Sequence, residues 1–536
     1  MSRPLLILGL DGASWEALDP LMAAGDLPTL AALAGRGTRG VTQSVVPPIT
    51  PAAWASFMTG KRPGTHGIYD FRLYDPRKYG DSFVTSRALR DPTLWQILTA
   101  AGRRVATVGV PLTYPPPTGA GTVVSGFDTP STAAAFTNPP ELRGRILERF
   151  PDYAFVATPD RADQSLIDDA AFERFVAEVE RVCEQRTRVA LDIVAQSSHD
   201  VLMVHHQDVD ALQHAAWRFV TEPSLHPTRA GRLRQAYWRI DALLGEIVAA
   251  MPADTLTLVV SDHGFGTHDG RLFPNVLLRT WGYLRDRGRR RDRFVRSVRK
   301  RLARLGRGSV ERRQLAWDER VRERGFRDAL PVSWPRTRAY VAVAEIYGLL
   351  YLNRRGREPD GIVAADEADA VRADLIRRFR RVRDPRDGAP CFAEILAGED
   401  VYPDDPHGRR PDLVLVPRPG YSVYRDLNDR MWIAHYDVRG GTHRPEGIVM
   451  VSGAGVRSGR FDRDVELVDL APTLLAAAGV PVPEDMEGRV LVEAFTEPLE
   501  VAYSSPAART ESADGGLSAE EENEVTERLR ALGYLA

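Results

Sequence analysis

Four aspartates and three histidines stand where ligand chemistry could begin. Asp11 directly follows the apolar run Leu5–Leu10, and Asp262 follows the run Leu256–Val260 one residue later, in Ser261-Asp262-His263-Gly264. Asp208 and Asp210 follow the run Val201–Val204 after a short polar stretch, His205-His206-Gln207. Short continuous apolar runs of this kind predict buried strands. In an open α/β sheet, ligands bind beyond the carboxyl ends of the strands. Three strands would therefore deliver acids to one edge. His263 adjoins Asp262, and His214 lies four residues after Asp210, on the same face of a helical turn. His443 closes Gly440-Gly441-Thr442-His443, just before the apolar run Ile448–Val451. Carboxylate oxygen with neutral imidazole nitrogen suits zinc or manganese. A single strand-end aspartate serves equally well as a helix cap. It is the convergence of several that points to metal. Asp208 competes with Asp210, but its spacing of six to His214 fits one helix face less well than the spacing of four.

A hydroxyl stands beside this set. In Pro47-Pro48-Ile49-Thr50-Pro51-Ala52, two prolines end an extended stretch, Thr50 is a good N-cap, and Pro51 suits the first helical position. Thr50 would then sit at a helix N-terminus, where free amides and the helix dipole favour anions such as a phosphoryl group. The bland alternative is a plain capping threonine. A hydroxyl there becomes a nucleophile only when a metal lowers its pKa.

The elements that must position these groups follow from the pattern. Strands are predicted at Leu5–Leu10, Arg104–Val110, Val201–Val204 and Leu256–Val260. Between them lie helical patterns at Trp15–Ala24, Thr29–Arg36, Thr93–Ala101, Asp168–Gln196 and Arg229–Ala250. The alternation predicts an α/β fold: a doubly wound, mostly parallel central sheet with helices on both faces. Arg285–Arg307 breaks this rhythm with 12 basic residues against two acidic ones. Phe294, Val298, Leu302 and Leu305 recur within it at helical spacing, so a basic amphipathic helix in an inserted cap is expected. Strand-like runs return at Leu413–Val416 and Ile448–Val451, then a helical pattern at Leu467–Ala478, a linker-like stretch at 497–520 and a last helix at Glu521–Leu532. The expected organisation is a core over 1–275, an Arg-rich cap over 276–405, a second part of the core over 406–495, and a linker with a terminal helix over 496–536.

Composition removes whole classes of function. Apolar residues at 43% and charged residues at 27% mark a globular chain. A net charge of −2 argues against the electrostatic footprint of a nucleic-acid binder, so no nucleic-acid polymer is expected as partner. Cys183 and Cys391 form no Cys-x-x-Cys pair, which excludes a disulfide scaffold and a thiolate zinc cluster. Only three of the 71 basic residues are lysines, a bias consistent with a GC-rich genome. No apolar stretch approaches the ~20 residues that span a bilayer, and the first apolar run is too short for a signal peptide. The cytoplasm is the expected compartment.

Several stretches together resemble the alkaline phosphatase superfamily, and most closely its type I phosphodiesterase/nucleotide pyrophosphatase family and that family's bacterial phosphohydrolases. They are Gly9-Leu10-Asp11-Gly12, Thr50 through Gly60, Pro63-Gly64-Thr65-His66-Gly67-Ile68, Asp210-Ala211-Leu212-Gln213-His214, Ser261 through Phe265, and Gly441-Thr442-His443-Arg444-Pro445-Glu446-Gly447. The resemblance implies two divalent ions, usually zinc, with manganese as the alternative. It assigns Asp210, His214 and His443 to one ion, and Asp11, Asp262, His263 and the Thr50 oxygen to the other. It implies attack by Thr50 on phosphorus, a phospho-threonine intermediate, and release of phosphate by water. The charges fit: two divalent ions against three carboxylates and a threonine alkoxide leave the site near neutrality, and paired ions can bridge the attacking and leaving oxygens of an in-line displacement.

The chain departs from the characterised nucleotide pyrophosphatases in two places. They carry an asparagine 21 residues after the nucleophile, where this chain has Phe71, preceded by Asp70. They carry a residue with a backbone N–H after the nucleophile, where this chain has Pro51. Lys61, the amides of Ala52 and Ala53, or the cap itself are the candidates for holding the phosphoryl oxygens. Lys61 and Phe71 are thus the expected substrate contacts, and monoester against diester stays open. His66 and His268 lie near the motifs as candidates for support or for plain structure. The leading expectation is a metal-dependent hydrolase of a phosphorylated small molecule. The alternatives are a phosphomutase or phosphotransferase of the same superfamily, and a non-catalytic scaffold that binds phosphorylated ligands. For 285–307, the readings are a substrate lid, contact with an anionic membrane surface, and a solvated helix.

Overall fold

The computed structural model describes residues 3–157, 168–287, 332–427, 432–435, 440–506 and 516–532. Residues 288–307, which carry most of the basic amphipathic pattern, lie outside them. The chain divides into two compact units. The first comprises 1–71, 83–269 and 436–536, and the second 72–82 and 270–435.

The first unit is built on a ten-stranded sheet. Its centre is β1 (Leu5–Leu10), with β5 (Val201–His206) on one side and β6 (Leu256–Val260) on the other, both parallel to it. Beyond β5 lie β3 (Val105–Val110) and β4 (Thr122–Ser125), again parallel. Beyond β6, the antiparallel β9 (Glu446–Ser452) connects to β2 (Gly37–Gln43). Every residue of β1, β3, β5 and β6 is buried. That explains why these strands read as continuous apolar runs without alternation.

Helices form two mutually packed sets around the sheet. One consists of α1 (Trp15–Ala23), α2 (Pro28–Gly35), α5 (Asp169–Gln196), α6 (Asp208–Thr221) and α7 (Pro227–Ala250). The other consists of α3 (Thr50–Thr59), α4 (Leu94–Ala100) and α8 (Leu470–Ala477). The set on α7 is tied by an unusual cap. The Asp241 carboxylate of α7 accepts the amides of Thr29 at 2.8 Å and Leu30 at 2.9 Å, so one helix satisfies the first-turn donors of another. The terminal α9 (Ala519–Leu532) also belongs to this unit, with Val525, Leu529 and Leu532 buried and the Arg528 guanidinium donating to the carbonyls of Phe127, Thr129 and Pro130.

Two expectations are corrected. The run Leu413–Val416 is a strand, but it does not rejoin the large sheet. As Leu413–Pro417 it sits in a four-stranded antiparallel sheet of the second unit, between Gly348–Leu352 and Phe392–Ala397. An apolar run reports that a strand is buried and carries no information on which sheet buries it. The second correction concerns Thr50. The cap of α3 is Ile49, whose extended backbone (φ −132°, ψ 139°) presents a carbonyl to the Ala53 amide at 3.0 Å. Thr50 is therefore the first helical residue, and its hydroxyl caps nothing.

Candidate functional site

The register of three parallel strands sets the site. Leu10 of β1 lies beside His206 at the end of β5, and Gly9 lies beside Val260 at the end of β6. Asp11, Asp208 with Asp210, and Asp262 with His263 therefore emerge at the same rim. His443 comes from a distant part of the chain by a two-stranded ladder: β7 (Gly264–Thr267) pairs antiparallel with β8 (Gly441–Arg444), placing His443 opposite Phe265. His214 follows Asp210 by one turn of α6.

Two groups that could hold a metal ion result, each with donor atoms within 4.8 Å of one another: Asp11, Asp262 and His263, and Asp210, His214 and His443. In the first, His263 Nε2 lies 3.6 Å from Asp11 Oδ1, 3.4 Å from Asp262 Oδ2 and 3.4 Å from Thr50 Oγ1. In the second, Asp210 Oδ1 lies 3.5 Å from His214 Nε2 and 3.6 Å from His443 Nε2. The rings of His263 and His443 stack at 3.6 Å, so the two groups share a wall.

Backbone carbonyls orient both stacked imidazoles. His443 Nδ1 lies 3.0 Å from the Pro48 carbonyl and His263 Nδ1 lies 3.1 Å from the Gly264 carbonyl. A carbonyl only accepts, so each Nδ1 carries the proton and each Nε2 turns a lone pair inward, which is how metal-binding imidazoles are held. Burial keeps both rings neutral, lowering His263 to about 3 and His443 well below the usual imidazole value. Each carboxylate has one oxygen held by a neutral donor. Gly12, at φ 66°, donates its amide to Asp262 Oδ1 at 3.2 Å, and the Gln207 amide donates to Asp210 Oδ2 at 3.0 Å.

A divalent cation fits this donor set. Asp11 Oδ1 and Asp262 Oδ2 are buried and have no hydrogen-bond partner among the described residues. Burial pushes the Asp11 carboxyl up to about 7 and that of Asp262 well above the usual range, the latter helped by Asp11's own charge. Two orphaned carboxylate oxygens beside an imidazole lone pair are unfavourable alone and are what a cation satisfies.

The remaining candidates go elsewhere. The Lys61 ammonium is buried and paired with Asp91 at 2.8 Å and with Asp485, so its charge is committed to two carboxylates. Phe71 is buried with its ring 6.1 Å from that of Phe127, in an edge-on contact. His66 accepts the Ile68 amide on Nδ1 at 3.1 Å and meets the Ser56 hydroxyl through Nε2 at 2.9 Å, tying the short helix Pro63–His66 to α3. His268 is partly buried, just after β7. Asp208 takes no place in either group. Burial would raise its pKa, but the Arg186 guanidinium and His206 outweigh this and hold it low. Cys183, His206 and Asp208 also form a possible ligand triplet, yet Arg186 already neutralises its one carboxylate.

Sequence reasoning missed the residues that contact Asp11 and Gly12 from behind. Trp54 and His205 both contact Asp11 Oδ2, at 3.1 and 2.9 Å. Gln213 Nε2 holds the Gly12 carbonyl at 2.7 Å. Trp54 stands four residues after Thr50, a spacing that puts both on one helix face.

Known proteins match this architecture. The phosphonoacetate hydrolase of Sinorhizobium meliloti 1021, in complex with phosphonoformate, superposes with a TM-score of 0.53 at 16% identity, over 89% of this chain and 96% of that one. The wild-type alkaline phosphatase PafA superposes with a TM-score of 0.53 at 14% identity, over 92% and 99%. At such identities the likeness is one of fold, and the fold is that of the alkaline phosphatase superfamily. The sequence model of the type I phosphodiesterase / nucleotide pyrophosphatase family matches residues 5–446, a span that takes in every member of both ligand groups. The chain belongs to the type I phosphodiesterase/nucleotide pyrophosphatase family and is a hydrolase of phosphoester bonds.

Proposed function

We propose that this chain hydrolyses a phosphoester of a small molecule through Thr50, with Asp11, Asp262 and His263 holding one divalent cation and Asp210, His214 and His443 a second. Zinc is the first choice and manganese the alternative, because the donors are imidazole nitrogen and carboxylate oxygen without thiolate. The observation that carries the reading is the position of Thr50: first residue of α3, freed from capping, with its hydroxyl 3.4 Å from His263 Nε2. When bound, the cations would supply Lewis acidity and lower the pKa of the threonine hydroxyl.

The chain's own residues do the rest. The Thr50 Oγ–phosphorus bond forms as the ester oxygen–phosphorus bond breaks, and the departing alkoxide takes up a proton. Water then attacks phosphorus, the Oγ–phosphorus bond breaks, phosphate leaves and Thr50 regains its proton. The start of α3 receives the phosphoryl oxygens with the amides of Thr50 and Ala52. Pro51 has no N–H to give, and the Ala53 amide is already bonded to the Ile49 carbonyl. With Lys61 held by Asp91 and Asp485, α3 is the better candidate for this role.

The test is Thr50→Ala, assayed with p-nitrophenyl phosphate and bis-p-nitrophenyl phosphate beside a metal analysis. Hydrolysis should fall by at least a thousandfold while two ions per chain are retained. Full activity in the variant would exclude Thr50 as nucleophile. The ester preferred by the wild type assigns monoesterase or diesterase.

A further inference from the structure

The helix that carries Thr50 also reaches the carboxylate of Asp11. Trp54 lies one turn after Thr50 on α3 and is fully buried. Its indole Nε1–H points to Asp11 Oδ2 at 3.1 Å. An indole only donates, so the direction of this bond is fixed. The same oxygen faces His205 Nε2 at 2.9 Å, and the two rings meet edge to face at 4.8 Å and 88°. Asp11 Oδ2 is thus held from two sides. Its other oxygen, Oδ1, has no hydrogen-bond partner among the described residues and faces His263 Nε2 at 3.6 Å.

The chain makes room for this indole. A Cβ added at Gly9 would lie 2.8 Å from Trp54 Cη2, inside the closest approach that packed carbon atoms tolerate. Gly9 is two residues before Asp11, the last residue but one of an otherwise bulky strand, Leu-Leu-Ile-Leu-Gly-Leu. A glycine inside a strand marks a close approach, and here the approaching group is the Trp54 ring.

We infer that Trp54, seated over Gly9, is a positioning residue for Asp11: by holding Oδ2 it turns Oδ1 toward a cation shared with Asp262 and His263, and it ties that ligand to the helix bearing Thr50. The inference rests on the metal reading proposed above. It accounts for a tryptophan and a glycine to which that reading gives no role. Without the indole donor the carboxylate could rotate about χ2 or bind the ion through either oxygen, and its distance from the Thr50 hydroxyl would no longer be set.

The experiment measures zinc binding to the metal-free full-length protein by calorimetry with a competing chelator, in wild type and Trp54→Phe. Phenylalanine keeps a buried ring and removes only the donor and part of the indole. Wild type should bind two ions. Trp54→Phe should keep one site unchanged and weaken the other by about ten- to a hundredfold, the usual effect of losing an outer partner of a ligand. A merely structural tryptophan would lower the melting temperature of the metal-free protein and leave both affinities alone, and that result would overturn the inference. Circular dichroism checks that the variant folds. Should it not fold, Gly9→Ala displaces the ring without deleting a donor and is scored the same way: one weakened site supports the inference, two intact sites refute it. Wild type that binds no zinc or manganese would refute the metal reading itself, and this inference with it.

Discussion

The Asp128 carboxyl gives a clean test of how burial sets charge in this fold. It lies in the first unit with one oxygen accepting the Leu112 amide at 3.1 Å and the other without a partner among the described residues. Burial pushes its pKa up to about 7, against hydrogen bonds from its own and the Leu112 amide and the attraction of Arg528 on the terminal helix. Its unfolded value is close to 3.8. A group whose native pKa is raised gives stability that is fully present below the unfolded value and is lost as pH rises through the native one. The window here is pH 4 to 7. At 1.36 kcal/mol per pKa unit, a rise of this size corresponds to about 4 kcal/mol. Asp128→Asn mimics the protonated acid at every pH. Urea unfolding followed by circular dichroism should find variant and wild type of similar stability at pH 4. By pH 8 the variant should be the more stable by up to about 4 kcal/mol. The difference between the two curves isolates this group from every other titration. Parallel curves, or a variant less stable at pH 8, would mean that Asp128 is ionised in the native state and paired with Arg528, and the reasoning would be wrong.

Two further predictions concern groups that hold the site from outside. Lys61→Met leaves Asp91 buried without its cation, so unfolding should cost about 3–5 kcal/mol less while the metal content stays at two ions per chain. A raised KM with stability unchanged would instead return Lys61 to the substrate. Asp241→Ala removes the acceptor of two α2 amides and should destabilise by about 2 kcal/mol, with hydrogen exchange at Thr29 and Leu30 accelerated before any other change. Unaltered exchange at those two amides would show that the cap is dispensable.

Much of the fold was legible because parallel strands buried on both faces leave an unmistakable trace. Leu5–Leu10, Val201–Val204 and Leu256–Val260 read as strands, and the acids that follow them meet at one rim. Leu413–Val416 left the same trace and belongs to another sheet, since burial has no address. Thr50 was placed one position off because a threonine before proline satisfies the capping pattern. The structure instead spends Ile49 as the cap and leaves the hydroxyl to the site. Lys61 looked available because its partners, Asp91 and Asp485, are 30 and 424 residues away. Trp54 was hidden for a different reason: a buried tryptophan on an apolar helix reads as core, and only the position of its N–H gives it a second role.

A guanidinium partner distinguishes Asp208 from the acids proposed to hold a cation. Asp208 is as deeply buried as Asp11 and Asp262. Asp208 receives Arg186. In a chain of 71 basic residues such partners are plentiful. Yet among the described residues no arginine or lysine pairs with Asp11 or Asp262, whose ionic neighbours are His205 and His263. Burial keeps both of those imidazoles neutral by lowering them to about 3. The rim thus gathers carboxyl groups without the internal cation that Asp208 receives from Arg186. Were Asp11 and Asp262 structural acids, the same low-cost solution used at Asp208 would have served. An arginine introduced beside them would pair with the two carboxylates and compete with the external cation for the same oxygens.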